Sequence, residues 1–184
     1  MPLFAQWRAQ REERRRAAAY VDSILRDPPE TQVAWLAGVA TRGDEDHARW
    51  ELRYARRALG LLAAERDALD DRTGSTVARV LAERLERDPA VAAEMKEVAD
   101  RQFNVRLMEY RLVLSTRPGA PTNLRLGQML LAFAGMPVGL GAADVARAGE
   151  IMAGYLAEAN EALRDVYGAA ALPDDVAPSA LPSR

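Results

Sequence analysis

The sequence predicts an all-α protein, folded as a single-domain helical bundle of five to seven helices. Apolar residues recur at helical spacing from near the N-terminus to about residue 168, and no stretch alternates apolar and polar residues as a half-buried strand does. Short breaks rich in Pro, Gly and Asp divide this pattern. The 184 residues, 49% of them apolar, suffice for one well-buried core and are few for two domains.

Helical segments are expected at residues 3–25, 31–40, 45–72, 75–87, 88–116, 122–134 and 142–167. The first ends at Asp27-Pro28-Pro29, because proline cannot continue a helix. The second stops at Gly43, which suits a left-handed position after the last helical turn. Asp44 is then a good N-cap for the third helix, whose first turn carries Glu45 and Asp46.

Local breakers and caps also predict the later boundaries. Thr73-Gly74-Ser75 separates the third helix from the fourth, with Ser75 as the cap of the latter. Asp88-Pro89 starts the fifth helix, because Asp caps well and Pro is favoured in the first helical position. A proline-rich turn and a glycine-rich loop flank the sixth helix, and Gly168 ends the seventh. Residues 169–184 are proline-rich and aperiodic, so we expect an extended or disordered tail outside the domain formed by residues 1–168.

The composition excludes several classes of function. Without cysteine, the chain cannot form disulfides or Cys-ligated metal centres, and nothing in the sequence requires a cofactor. A formal net charge of −2 argues against nucleic-acid binding, because such surfaces are usually strongly basic. The N-terminus lacks the apolar segment and small-residue cleavage site of a secretory signal, so we expect a cytoplasmic protein.

Two segments raise the question of membrane contact. Residues 1–16 combine Phe4 and Trp7 with five arginines, a pattern compatible with peripheral contact with anionic lipid, but an ordinary docked helix is the favoured interpretation. Residues 126–143 carry no charge over 18 positions, close to the lower limit for a membrane span. Pro137 and four glycines in this stretch instead favour a buried helix and loop, or an apolar surface used for oligomerisation.

The third helix has a broad apolar face that contains polar residues. At 100° per residue, three polar side chains project within the apolar arc, namely His47, Glu51 and Glu65. Three arginines fall on the opposite side, which is expected to face solvent: Arg49, Arg53 and Arg56. A buried carboxylate is costly unless it is paired, so we expect carboxylates of this arc to pair with an arginine or to lie near an end of the helix.

His47, the only histidine, lies four residues before Glu51. A His and a Glu at this spacing on a helix can converge on one metal ion or one proton. The spacing identifies no third ligand, and the Glu-x-x-His motif that di-iron carboxylate bundles place on two helices is absent. The favoured interpretation is that the acidic residues at 44–46 cap the helix and that His47 packs or hydrogen-bonds locally.

The fifth helix carries a second apolar stripe, formed by Val91, Met95, Val98, Val105, Leu112 and Val113. Gln102 and Glu109 lie within this stripe and Arg106 flanks it. Structural ion pairs, such as Glu109 or Glu65 with an arginine across the bundle, are the favoured interpretation. The alternative is a polar pocket in the bundle that brings together Glu51, Gln102, Arg106 and Glu109.

Two classes of function remain open at this stage. The favoured one is a non-enzymatic interaction or assembly protein that self-associates, or holds a protein partner, through an apolar or arginine-lined face. The alternative is a small-molecule- or metal-binding enzyme with a pocket between the third and fifth helices. The absence of cysteine, of a second histidine and of any nucleophile-and-base motif favours the first class.

Overall fold

The computed structural model describes residues 2–67, 71–116, 121–135 and 141–168, which form a single helical domain without strands. Its helices are α1 (Pro2–Ile24), α2 (Glu30–Val39), α3 (Glu45–Asp67), α4 (Asp71–Glu86), α5 (Lys96–Ser115), α6 (Thr122–Phe133) and α7 (Ala142–Tyr167). The predicted all-α bundle is confirmed. None of the helices in this described part of the chain is long and apolar enough to cross a membrane. The tail expected at residues 169–184 lies outside the described residues.

Helix α3 is the central element of the bundle. It packs against each of the other helices, and its residues 57–64 are buried on every side. Such all-round burial is typical of a helix in the middle of a core. The pairs α1–α4 and α6–α7 surround it, whereas α5 packs mainly on α3 and α6. The core therefore lies along α3, and α5 is attached to its flank.

The corner between α2 and α3 forms as the sequence predicts. Gly43 has a left-handed φ of +87°, and its backbone N–H donates to the carbonyl of Ala37 at 2.8 Å. The carboxylate of Asp44 accepts a hydrogen bond from the backbone N–H of His47 at 3.0 Å, which is the N-cap contact. These bonds satisfy polar backbone groups that the helix ends would otherwise leave unpaired.

The predicted boundary between the third and fourth helices is wrong. Thr73-Gly74-Ser75 lies inside α4, which already begins at Asp71. Gly74 packs near the end of α3, where an added Cβ would lie 3.6 Å from the Cα of Glu65. That is an ordinary contact distance, so a small side chain would also fit, and α4 continues through this glycine despite its low helix propensity.

The start predicted for the fifth helix is also wrong. Asp88 does accept a hydrogen bond from the backbone N–H of Ala90 at 3.0 Å, but the chain then turns and forms a short 3₁₀ helix, Ala93–Met95, before α5 begins at Lys96. The same carboxylate binds Arg57 of α3 at 2.9 Å. This ion pair holds the turn after α4 against the core.

Two glycines let α6 and α7 cross at very short distance. A Cβ added to Gly127 would lie 2.4 Å from the backbone nitrogen of Gly149 and 2.7 Å from the carbonyl oxygen of Val145. A Cβ added to Gly149 would lie 2.8 Å from the carbonyl oxygen of Asn123. No side chain fits at either position, so the two backbones are in direct contact.

The arginines of α3 do not form the solvent-facing surface that the helical pattern predicts. The side chains of Arg49, Arg53 and Arg56 are only 23%, 14% and 12% exposed. Each binds a carboxylate outside α3: Arg49 binds Glu30 at 2.6 Å, Arg53 binds Asp27 at 2.7 Å, and Arg56 binds Glu158 at 2.6 Å. Because α3 is surrounded, its polar side connects it to neighbouring segments instead of to water.

Candidate functional site

The predicted polar residues between the third and fifth helices meet around one ion pair. Glu51 of α3 is 2% exposed, and the guanidinium of Arg106 on α5 donates two hydrogen bonds to its carboxylate, one of them from Nε at 3.0 Å. A bidentate arginine–carboxylate pair fixes both the distance and the orientation of its partners. The sequence predicts that a buried carboxylate of this arc pairs with an arginine. The structure shows such a pair, formed by Glu51 and Arg106.

Aromatic rings enclose this ion pair. The guanidinium carbon of Arg106 lies 5.3 Å from the ring centre of Tyr54 and 4.5 Å from that of Phe133. Tyr110 is fully buried nearby, its hydroxyl has no hydrogen-bond partner among the described residues, and burial raises the pKa of this phenol well above its ordinary value. Because both of its oxygens accept hydrogen bonds from Arg106, the Glu51 carboxylate is poorly placed to act as a general base.

His47 lies at the edge of this cluster and not within the core. Its side chain is 42% exposed, so the predicted inward orientation is wrong. The ring Nε2 is 3.5 Å from a Glu51 oxygen that Arg106 also contacts. The first turn of α3 lies at the edge of the bundle, where a position on the apolar arc still reaches solvent. In the described part of the chain, no three His, Asp or Glu side chains are grouped so that they could hold a metal ion.

The other predicted polar residues, Gln102, Glu109 and Glu65, differ in their surroundings. Gln102 is exposed, and its amide oxygen accepts a hydrogen bond from the hydroxyl of Tyr54 at 3.2 Å. Glu109 is half-buried and is not among the residues that line the chamber in which Glu51, Gln102 and Arg106 come together. Glu65 is exposed and pairs with Arg111 at 2.7 Å, which agrees with the predicted cross-bundle ion pair for that residue.

A cleft does exist between α3 and α5, in two chambers that share the side chains of Trp50, Tyr54, Val91 and Ala99. One chamber, of about 400 Å³, contains Glu51 and Arg106. The other, of about 360 Å³, extends towards α4 and is more apolar. We call this second chamber the Trp50 cleft; its principal walls are Trp50, Tyr54, Arg57, Leu85, Val91 and Phe103.

Sequence reasoning missed Arg57, which lines the Trp50 cleft. The residue is 6% exposed, pairs with Asp88 at 2.9 Å, and lies 5.7 Å from the ring centre of Trp50. Burial lowers the pKa of this guanidinium, and the neighbouring Asp88 counteracts that effect. A signal existed in the sequence, because Arg57 lies among Tyr54, Ala58 and Leu61 on the apolar side of the helix.

Most of the apolar stripe predicted on the fifth helix is exposed, and its Val91 is half-buried. The buried side chains of α5 are Phe103, Tyr110 and Val113, of which only Val113 belongs to the predicted stripe. We define the α5 stripe as Met95, Val98, Val105, Met108 and Leu112, which are 50%, 37%, 45%, 70% and 60% exposed. Apart from Trp7, these are the large hydrophobic side chains that the described residues leave exposed. A concentration of this kind on one helix and the short 3₁₀ helix before it is typical of a contact surface.

The chain matches no protein-family model, no curated protein and no solved structure. The candidate sites therefore stand on their geometry alone. They are a buried ion pair, an open apolar cleft beside it, and the exposed α5 stripe, of which Met95 and Val98 also line the chamber that contains the ion pair.

Proposed function

We propose that this protein is a non-enzymatic assembly protein that self-associates through the α5 stripe. The observation that carries the proposal is the exposure of four large apolar side chains on α5 and of Met95 in the 3₁₀ helix directly before it. Removing such area from water is favourable by roughly 25 cal/mol per Å². Because α5 is already folded within the domain, association does not have to order the helix first.

The spacing of the stripe favours another helix as the surface that covers it. Within α5, positions 98, 102, 105, 109 and 112 are separated alternately by four and three residues, which is the a/d pattern of a helix–helix seam. Gln102 and Glu109 occupy two of these positions. Polar residues within a seam reduce affinity but select one register and orientation.

The charges on the seam favour a second copy in antiparallel orientation. A parallel pair in register would bring Glu109 against Glu109 of the second copy, and like charges repel. A two-fold axis between Gln102 and Val105 instead places Glu109 beside the turn of the second copy that carries Val98 and Arg101. Glu109 has no ion pair within the described residues, so it is available for this contact.

The proposal is tested by the solution mass of the full chain over a concentration series up to several hundred micromolar, by sedimentation equilibrium. We expect a dimer that dissociates on dilution. The double variant Val105→Glu/Leu112→Glu places charges in the seam and should be monomeric throughout. A matched control is Ala153→Glu/Ala157→Glu, which puts the same charges on exposed positions of α7 and should leave the mass unchanged.

A monomer at every concentration contradicts self-association. A dimer that the α5 substitutions leave intact contradicts the assignment of the interface to α5. Circular dichroism of both variants checks that they retain the helical fold, which is expected because the four substituted side chains are exposed.

A further inference from the structure

The N-terminal turns of α1 project from the bundle. Every side chain of residues 6–11 is exposed, whichever side of the helix it lies on. Ion pairs with α4 begin at Glu13, which binds Arg72 at 2.8 Å, and at Arg14, which binds Glu83 at 2.6 Å. The docking expected for α1 is therefore found from Glu13 onwards, whereas residues 6–11, which we call the α1 tip, stand in solvent.

The α1 tip presents an aromatic ring beside two arginines. Trp7 is 58% exposed, and the guanidinium carbon of Arg11 lies 5.5 Å from the centre of its ring. Neither Arg8 nor Arg11 has an ion pair within the described residues. At 100° per residue, Trp7, Arg11 and Arg8 share an arc of about 100°, and both acidic residues of this part of the helix, at positions 12 and 13, fall outside it. One face of the tip is thus aromatic and positively charged.

Positive charge is concentrated at this end of the chain. Residues 1–16 carry five arginines and two glutamates, which leaves 20 basic and 25 acidic side chains for the rest of the chain. The ten helical residues from Pro2 to Arg11 extend over about 15 Å, whereas the Debye length at physiological ionic strength is about 8 Å. The negative charge of the domain is therefore largely screened at the tip, and the arginines of the tip determine what it attracts.

The chemistry of the tip matches the surface of an anionic bilayer. Guanidinium groups bind phosphate oxygens through paired hydrogen bonds. The indole ring of tryptophan is favoured at the headgroup level of a bilayer, because its body is apolar and its N–H is polar. Single-stranded nucleic acid fits less well, since its sites stack successive bases on several rings and the tip exposes one.

We propose that the α1 tip attaches the protein peripherally to bilayers that contain anionic phospholipid. Trp7 lies among the headgroups, and Arg8 and Arg11 bind the lipid phosphates. The attraction depends on the negative surface charge of the bilayer, so it is selective for anionic lipid and sensitive to salt. The contact does not involve the α5 stripe, which remains available for a second copy.

The proposal is tested by co-sedimentation of the full chain with vesicles of two compositions. One is phosphatidylcholine alone, and the other is equal parts of phosphatidylcholine and phosphatidylglycerol. We expect the protein to bind the mixed vesicles at millimolar lipid and to stay in solution with phosphatidylcholine. Binding should be lost as NaCl is raised to about 0.5 M, where the Debye length is roughly 4 Å.

Two double variants with the same change in net charge separate the tip from the rest of the surface. Arg8→Gln/Arg11→Gln should weaken binding to the mixed vesicles about thirtyfold, because each basic residue near an anionic surface contributes about fivefold. Arg42→Gln/Arg87→Gln, at exposed positions in the corner between α2 and α3 and after α4, is the control and should change binding little. Trp7→Ser should weaken binding without any change in charge. Circular dichroism checks that each variant keeps the helical fold.

Four results overturn the proposal. Absence of binding to the mixed vesicles excludes the bilayer as the partner, and equal binding to both vesicle types excludes recognition of negative charge. Unchanged binding of Arg8→Gln/Arg11→Gln assigns the contact to another surface, such as the α5 stripe. Tighter binding of single-stranded polyuridine than of vesicles, lost in Trp7→Ser, assigns the tip to nucleic acid. The dimer proposal is tested without lipid, so each of these results leaves it untouched.

Discussion

Glu51 and Arg106, 55 residues apart in the chain, bind each other through two parallel hydrogen bonds inside the interface of α3 and α5. Their side chains are 3% and 12% exposed. Both charges have lost most of their hydration, and each depends on the other for compensation. The pair therefore couples α5 to the centre of the bundle.

Removing one partner of this pair should be much more harmful than removing both. Glu51→Ala leaves Arg106 buried without a counter-ion, and we expect a loss of about 3–5 kcal/mol in the free energy of unfolding. The double variant Glu51→Leu/Arg106→Leu should recover most of that loss, because it leaves no uncompensated charge. Urea unfolding followed by circular dichroism measures both values. Glu97→Ala, which breaks the exposed pair with Arg101, is the control and should change little.

Substitution at the crossing of α6 and α7 should show the cost of a single methyl group. Gly127→Ala forces a carbon into contact with the backbone of α7, and we expect a loss of about 2–3 kcal/mol or more, because backbone cannot move aside. Gly154→Ala, in α7 with no neighbour within 4 Å of the added carbon, should stabilise the protein by roughly 0.5–1 kcal/mol. Thermal unfolding of the two variants gives opposite shifts of Tm if the crossing is as close as described. Similar shifts in both would contradict it.

The ion pair of Asp27 with Arg53 should make stability depend on acid pH. The hydrogen bond from Arg53, and then its charge, hold the pKa of Asp27 below its ordinary value in the folded protein. A carboxyl group whose pKa is lowered by folding stabilises the folded state above its unfolded pKa of about 4, and this contribution is lost as the pH falls through the folded pKa. We therefore expect Asp27→Asn to lower Tm at pH 7 and to have little effect near pH 2.5. An equal difference at both pH values would exclude this electrostatic origin.

The orientation of the proposed dimer has its own test. In the antiparallel arrangement, Arg101→Glu and Glu109→Arg should each weaken dimerisation, because each creates a like-charge contact with the second copy. Arg101→Glu/Glu109→Arg together should restore it, since the opposite charges are only exchanged. Sedimentation equilibrium measures the three dissociation constants. In a parallel pair, Glu109→Arg would replace one like-charge contact between the two copies with another. The double variant would then restore no affinity.

Much of the fold can be predicted from the sequence where the determinants are local. The helix predicted at residues 142–167 matches α7, whose start is supported by a contact from the Gly141 backbone N–H to the carboxylate of Asp144 at 3.3 Å. At its end, Gly168 adopts the left-handed φ of +88° that glycine tolerates. Both determinants lie within a few residues of the boundary that they define.

The errors arise where a distant contact competes with a local signal. Gly74 lies inside α4 and next to the end of α3, and no pattern around residue 74 encodes that neighbour. The exposure of the α5 stripe was missed for a related reason. An apolar seam at helical spacing has the same pattern whether it faces the core of its own chain or another molecule, so the sequence alone does not separate the two. Among the candidate site residues, the burial of Glu51 was predictable, whereas its pairing with Arg106 required the packing of α3 on α5.

The attachment of α5 to one flank of α3 has a consequence for the motions of the domain. Helix α3 packs on every other helix, so its backbone amides should exchange with deuterium only when the whole domain unfolds. Helix α5 packs mainly on α3 and α6, and its detachment leaves the α1–α4 and α6–α7 pairs in place. Amide exchange in α5 can then proceed by partial opening, and the same opening admits solvent between Trp50 and Phe103.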